Sequence, residues 1–228
     1  MKIKIIGLGG IGSVLADQIC RFVNYSINDF NVEIILIDGD EYEHKNYERQ
    51  NFNFIGNKAL TKQRELSLKF NGLNINYVSD YITTENISKN ILNEDLVFMG
   101  VDNHKTRKLV SDYCKTLDNI TLISGGNNYI DGNVQLYYRK DGVDLTPNLC
   151  AYHPEIDNPQ DKSPIEMSCE ELTVSEPQLL FTNLTAATIM CQVFYNIVIR
   201  KEIKYCEIYF DITSMKTDSK IRKVKVNN

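Results

Sequence analysis

Gly7-x-Gly9-x-x-Gly12, within Gly7-Leu8-Gly9-Gly10-Ile11-Gly12-Ser13, follows directly on an apolar run from Lys2 to Ile6. Glycines let a backbone turn tightly and approach a phosphate closely. A helix starting there presents unpaired N–H groups and the positive end of its dipole. Asp38 closes a second apolar run, VEIILI, where a carboxylate can accept hydrogen bonds from ribose hydroxyls. The loop alone leaves a dinucleotide and ATP both open. The residues that bear on the choice come next: Asp38-Gly39-Asp40, then Asn46-Tyr47-Glu48-Arg49-Gln50, the stretch GNKALTK from Gly56 to Lys62, and later Asp102-Asn103. Chemistry on a phosphate chain builds charge on its oxygens, so such a site needs fixed cations and donors rather than a strong base. A dehydrogenase would need a proton-handling group near a strand end. His44 and His104, which flank the polar segments, read instead as surface or packing residues.

The elements that must position these residues alternate through the first half. After the Lys2–Ile6 strand, Ile11, Val14, Leu15, Ile19, Phe22 and Val23 recur at helical spacing. Val32 to Ile37 is a continuous apolar run, as expected of a strand covered on both faces. A helix over Ala59–Phe70, a strand over Ile75–Ser79 and a buried strand over Asp95–Gly100 follow. The next helix places Leu109, Val110, Tyr113, Cys114 and Leu117 on one face, and Thr121–Ser124 is the fifth strand. This alternation predicts an α/β fold, a Rossmann-like, mostly parallel sheet wrapped by helices. Beyond it, Asn133–Arg139 alternates as a strand, and Asp141–Ser175 reads as a polar, structureless crossover loop. A helix over about Glu176–Arg200 follows, bearing Leu180, Leu184, Ala187, Cys191, Phe194 and Val198. Glu207–Ile212 and Ile221–Val226 read as a closing antiparallel pair. Residues 1–228 are expected to form one domain, with the crossover at about 141–175.

The ordered set GLGGIGS, DGD, NYERQ, GNKALTK and Asp102-Asn103 resembles the ThiF/MoeB family, bacterial relatives of ubiquitin-activating enzymes, over nearly the whole chain. The resemblance implies ATP-dependent adenylation of a carboxylate, the C-terminus of a ubiquitin-like or sulfur-carrier protein. It implies nucleotide contacts from Gly7, Gly9, Gly10, Gly12, Asp38, Asp40, Asn46, Arg49, Gln50, Lys62, Asp102 and Asn103. In that assignment Arg49 and a lysine hold phosphates, Asn46 and Gln50 position them, Asp38 takes the ribose and Asp102 holds Mg²⁺. The family places its lysine three residues after a glycine; Lys58 is one position short and Lys62 is farther, and matching the later strand favours Lys62. In the relatives a crossover cysteine attacks the acyl-adenylate or takes part in sulfur transfer. Cys169 matches that position, and here the chain also resembles short ThiF proteins of the PRTRC type. A thiolate near a helix N-terminus is activated, whereas Glu170, Glu171 and Glu176 oppose it, so a structural cysteine stays open as the alternative. A small-molecule, peptide or tRNA-linked acceptor without a thioester is the other adenylation reading, and an NAD-binding Rossmann protein is the rival outside it.

Many relatives carry paired Cys-x-x-Cys motifs for zinc. This chain has only Cys150-x-x-His153, half a site, and zinc is not expected. Its remaining cysteines, Cys20, Cys114, Cys191 and Cys206, fall in helix or strand patterns as small core fillers. The relatives' N-terminal arginine, which reaches a partner subunit's site, has no counterpart before the first strand; a homodimer is implied by resemblance. A net charge of −5 argues against a broad nucleic-acid or membrane footprint. No apolar run reads as long enough to span a bilayer. The start MKIKIIGLGG lacks a cleavage-type segment and reads as a buried strand, so a cytoplasmic location is expected.

Overall fold

The computed structural model describes residues 1–26, 31–47, 50, 52–166 and 179–225. Strand β1 (Lys2–Ile6) pairs in parallel with β2 (Glu33–Ile37) on one side and β6 (Leu96–Met99) on the other. Parallel pairing continues outward to β5 (Asn74–Val78) and β7 (Ile120–Asn127). β8 (Asp131–Lys140), β10 (Glu207–Asp211) and β11 (Lys216–Lys220) then add antiparallel strands, giving the order β11-β10-β8-β7-β6-β1-β2-β5, with β9 (Val143–Asp144) on β8. This is the α/β, Rossmann-like arrangement that the strand–helix alternation predicts.

Helices α1 (Gly10–Ser26), α2 (Lys58–Lys69) and α6 (Leu180–Tyr195) cover one face; α3 (Ile87–Asn90), α4 (His104–Cys114) and α5 (Pro154–Asp157) cover the other. The apolar runs are continuous because both faces are buried. Ile3 and Ile5 enter the core under α1, while Ile6 enters the opposite core beside Ile37 and Met99. Lys4 interrupts that second face and is itself buried, 3.8 Å from the equally buried Asp95.

Three expectations need correction. The crossover is not structureless over its first half: residues 141–166 hold β9, α5 and a 3-10 turn, Pro164–Glu166, with Thr146, Leu149, His153 and Ile156 buried. Polar composition hid this, because the segment docks through side chains and turns rather than through an apolar period. Tyr138 N donates to Thr146 Oγ1 (2.7 Å), Leu149 N to Ser111 Oγ (3.2 Å), and Lys108 and Lys105 pair with Asp157 and Glu166.

The closing pair uses β11 at Lys216–Lys220, not Ile221–Val226. A tight turn after β10, in which Asp211 Oδ1 accepts from Thr213 N and Ser214 N, brings the next five residues into register first. As a solvated edge strand, β11 carries no apolar signal. The buried residues of α6 are Thr182, Asn183, Ala186, Ala187, Ile189, Met190, Val193 and Phe194, a broad face on a helix that is apolar nearly all round; of the apolar residues singled out in the sequence, Ala187, Phe194 and Val198 are buried, Leu184 and Cys191 half-buried and Leu180 exposed. With its π-helical extension, Asn196–Arg200, this stretch is long and apolar enough to cross a membrane, contrary to the expectation from the apolar runs; half of that window is buried in the fold.

Candidate functional site

The strand order reverses at β1: the chain moves from β1 to β2 and β5, then returns to β6 on the other side. Such a switch opens a crevice at the carboxyl ends of the strands. Gly7–Gly12 leaves β1 there, beside Gly100–Asn103 after β6. Gly7 N donates to Ile37 O (3.0 Å) and Gly100 N to Ile6 O (2.9 Å), so the two loops begin locked to the sheet. A Cβ on Gly12 would stand 1.8 Å from Gly7 O, and Gly7 itself has a φ of 83°, a left-handed value that favours glycine. This tight return sets the first N–H groups of α1 at the crevice.

Asp38 is buried, and its carboxylate is used by the loop. Oδ2 accepts from Leu8 N (2.6 Å) and Oδ1 from Asp40 N (2.8 Å). Burial pushes this carboxyl above its ordinary range against the pull of Lys58. Tyr42 closes the other side of the clip, its hydroxyl donating to Leu8 O (2.9 Å). Any ribose contact by Asp38 must share oxygens with these bonds. Asp40 is set differently: Lys58 Nζ lies 2.9 Å from Oδ2, and Tyr81 OH donates to Oδ1 (2.9 Å). Burial works against its charge, but Lys58 and Tyr81 outweigh it and hold the carboxyl below its usual range. Lys58 and Lys62 both stand over the Tyr42 ring, at 5.9 and 5.8 Å, and Lys62 also pairs with Glu65 (2.7 Å). The fold therefore brings both candidate lysines to the same ring, with Lys58 on the acid that ends the DGD turn.

Asn46 is buried and its Oδ1 accepts from Glu43 N (2.9 Å), which shapes the short turn His44–Asn46. Gln50 is buried with Oε1 unpartnered; its Nε2 stands 4.0 Å from where a Cβ on Gly9 would be. Ser13 Oγ and both amide atoms of Asn183 are likewise buried and, like Gln50 Oε1, have no hydrogen-bond partner among the described residues. An unpartnered buried polar group costs about 1–3 kcal/mol. Three such side chains around one glycine loop are polar capacity that the described residues do not use. Because an amide can present either its oxygen or its nitrogen, the set suits an anionic, oxygen-rich ligand at the N-terminus of α1. The residues present thus fit a nucleotide phosphate chain.

Asp102 is exposed just past β6, and Asn103 caps α4, its Oδ1 accepting from Thr106 N (2.8 Å). Behind them Arg107 is buried, donating to Val101 O (2.6 Å), Gly125 O (2.8 Å) and Ser124 Oγ (3.1 Å). Burial draws its pKa down to about 10, with Asp102 opposing. Asp40, Asp38 and Asp102 all raise the Tyr81 hydroxyl, after burial, so the three carboxylates share one neighbourhood. Among the described residues no group of three or more His, Cys, Asp or Glu is arranged for a metal. A Mg²⁺ carried by phosphates asks less than that, since it takes one or two carboxylates and keeps water; Asp102 fits that demand.

Arg49 and Cys169 lie outside the described residues, as do Glu170, Glu171 and Glu176. His153 does not stand ready for a metal with Cys150: Glu155 and Glu207 take its Nδ1 (2.7 Å) and Nε2 (2.6 Å), and burial pushes the Cys150 thiol up. Sequence reading missed Tyr42, Tyr81, Arg107, Ser13 and Asn183 as parts of this site. The usable signal was weak: Asn183 is a polar residue inside the apolar run LLFTNLTAA.

A protein-family model described as the ThiF family matches residues 1–228. Among solved structures, E. coli MccB with ATP superposes with a TM-score of 0.73 at 19% identity, covering 96% of this chain and 63% of that one. E. coli MccB with AMPCPP and MccA gives the same values. PaaA gives a TM-score of 0.67 at 14% identity, with 96% and 63% covered. This chain therefore spans under two thirds of the length of these neighbours. No curated protein matches it in sequence.

Proposed function

Because the chain belongs to the ThiF family, we propose that it is an ATP-dependent adenylyltransferase that activates a carboxylate. The observation that carries this reading is the glycine loop at the topological switch, ringed by Ser13, Gln50 and Asn183 with unused polar atoms and by Lys58 and Lys62. In the reaction a carboxylate oxygen attacks the α-phosphorus of ATP, the bond to the β-phosphate bridging oxygen breaks, and pyrophosphate leaves. The N-terminus of α1 and the two lysines supply fixed positive potential for the phosphate oxygens. Asp102 would hold a Mg²⁺ that arrives with ATP, and the ion would supply charge neutralisation for the phosphates.

The acceptor class we favour is the C-terminal carboxylate of a small protein or peptide, a ubiquitin-like or sulfur-carrier protein being the leading case. Structures of the neighbour MccB with ATP and with MccA support a nucleotide and a partner molecule meeting on this fold. A thioester on Cys169 would be a second, separable step: the thiolate displaces AMP from the acyl-adenylate.

The test is exchange of labelled pyrophosphate into ATP with candidate carboxyl-terminated proteins. Wild type should exchange, Asp102→Ala should lose exchange by at least about 100-fold, and Cys169→Ala should retain it. Uptake of NAD with no response to ATP would overturn the reading.

A further inference from the structure

Asn183 is in an unusual position for an amide. It lies in the first turn of α6, fully buried, with neither Nδ2 nor Oδ1 partnered among the described residues. Its Nδ2 is 2.1 Å from the point a Cβ on Gly10 would occupy, so the amide fills the place of the side chain that Gly10 lacks. Gly10 is the first residue of α1, and the N–H groups of that turn have no partner inside the helix. Ser13, three residues on, shares that face of α1 and is also buried with its hydroxyl unpartnered. The neighbouring residue, Thr182, anchors the turn by donating to Tyr129 O (2.7 Å). Thus α6 is fixed against the β7–β8 connection while presenting an unspent amide to the backbone of the glycine loop.

We propose that Asn183 is a nucleotide-phosphate ligand of this site, its amide donating to a phosphate oxygen held at the α1 N-terminus. This deepens the adenylyltransferase reading and rests on it. Replacement of Gly10 by any larger residue would close the same path. Because Asn183 is closed to solvent, the contact forms as the phosphate chain seats and the amide turns toward it. Nucleotide occupancy then ties the first turn of α6 to the glycine loop.

The experiment uses the full chain and measures binding of ATP and of adenosine by calorimetry, with thermal unfolding of each unliganded variant. Asn183→Leu keeps the side-chain shape and removes both polar groups. The expected result is an unliganded midpoint equal to or above that of wild type, ATP binding at least tenfold weaker, and adenosine binding unchanged. In wild type, hydrogen exchange in the first turn of α6 should slow on adding ATP, and the leucine variant should lose that response. Equal weakening for ATP and adenosine, or undiminished ATP binding, overturns the proposal. If the leucine variant does not fold, Asn183→Ala takes its place: selective loss of ATP binding supports the contact, and equal or absent weakening overturns it. Failure of wild type to bind ATP at all would instead overturn the adenylyltransferase reading.

Discussion

Glycines that look alike in the motif do different work. Gly12 has no room for a side chain: a Cβ would meet the carbonyl of Gly7 at 1.8 Å. Gly9 has room, since the nearest atom to its Cβ would be Gln50 Nε2 at 4.0 Å. Gly12→Ala should therefore unseat the loop and lower stability by about 1–3 kcal/mol, measured by urea denaturation. Gly9→Ala should unfold like wild type yet bind ATP more weakly, because the methyl group enters the space where the ligand approaches. An equal stability loss in both would mean that Gly9 is there for the fold rather than the ligand. The acids divide in the same way. Asp38 holds the loop through Leu8 N, and Asp40, balanced by Lys58 and Tyr81, is the more available carboxylate. Their spacing was legible in DGD; their different partners were not, since Tyr81 arrives from the segment after β5 and Lys58 from the first turn of α2.

At the scale of elements, the crossover's first half is fastened at both ends of α4 and at β10. Asp161 accepts from His104 N and Lys105 N at the start of α4, which suits a carboxylate at a helix N-terminus. At the other attachment, His153 lies between Glu155 and Glu207, with Arg222 (2.7 Å) and Tyr209 (3.2 Å) also on Glu207. Burial opposes a charged His153, but Glu207 and Glu155 outweigh it and raise its pKa above the ordinary 6.5. Glu207, despite its burial, is held down at about 2 by His153 and Arg222. A raised histidine contributes stability that is full below 6.5 and is lost as pH climbs through its folded value; a depressed carboxylate contributes above 4.5 and loses it as pH falls toward 2. The attachment is therefore strongest between about 4.5 and 6.5, and stability should decline above that window. His153→Gln should flatten the fall in denaturation midpoint from pH 6.5 upward; an unchanged slope would remove His153 as its source.

At the scale of the whole molecule, α6 joins the late sequence to the early. Phe194 meets Phe22 of α1 edge-on at 5.9 Å and Phe98 of β6 at 5.7 Å. Phe194→Ala should destabilise the protein by about 3–5 kcal/mol, read from the shift of the urea midpoint at constant slope. A cost below about 1 kcal/mol would mean that α6 is not seated as described. What the sequence determined by itself is the parallel half and the place of the glycine loop, because continuous apolar runs and a glycine turn act over a few neighbouring residues. Only tertiary structure decided which face of α6 is buried, that β11 ends the sheet at Lys220, and that Asn183, Tyr81 and Arg107 stand around the glycine loop and Asp102. Those outcomes depend on contacts between residues far apart in the chain, and an all-apolar helix or a solvated edge strand carries no periodic pattern that could announce them.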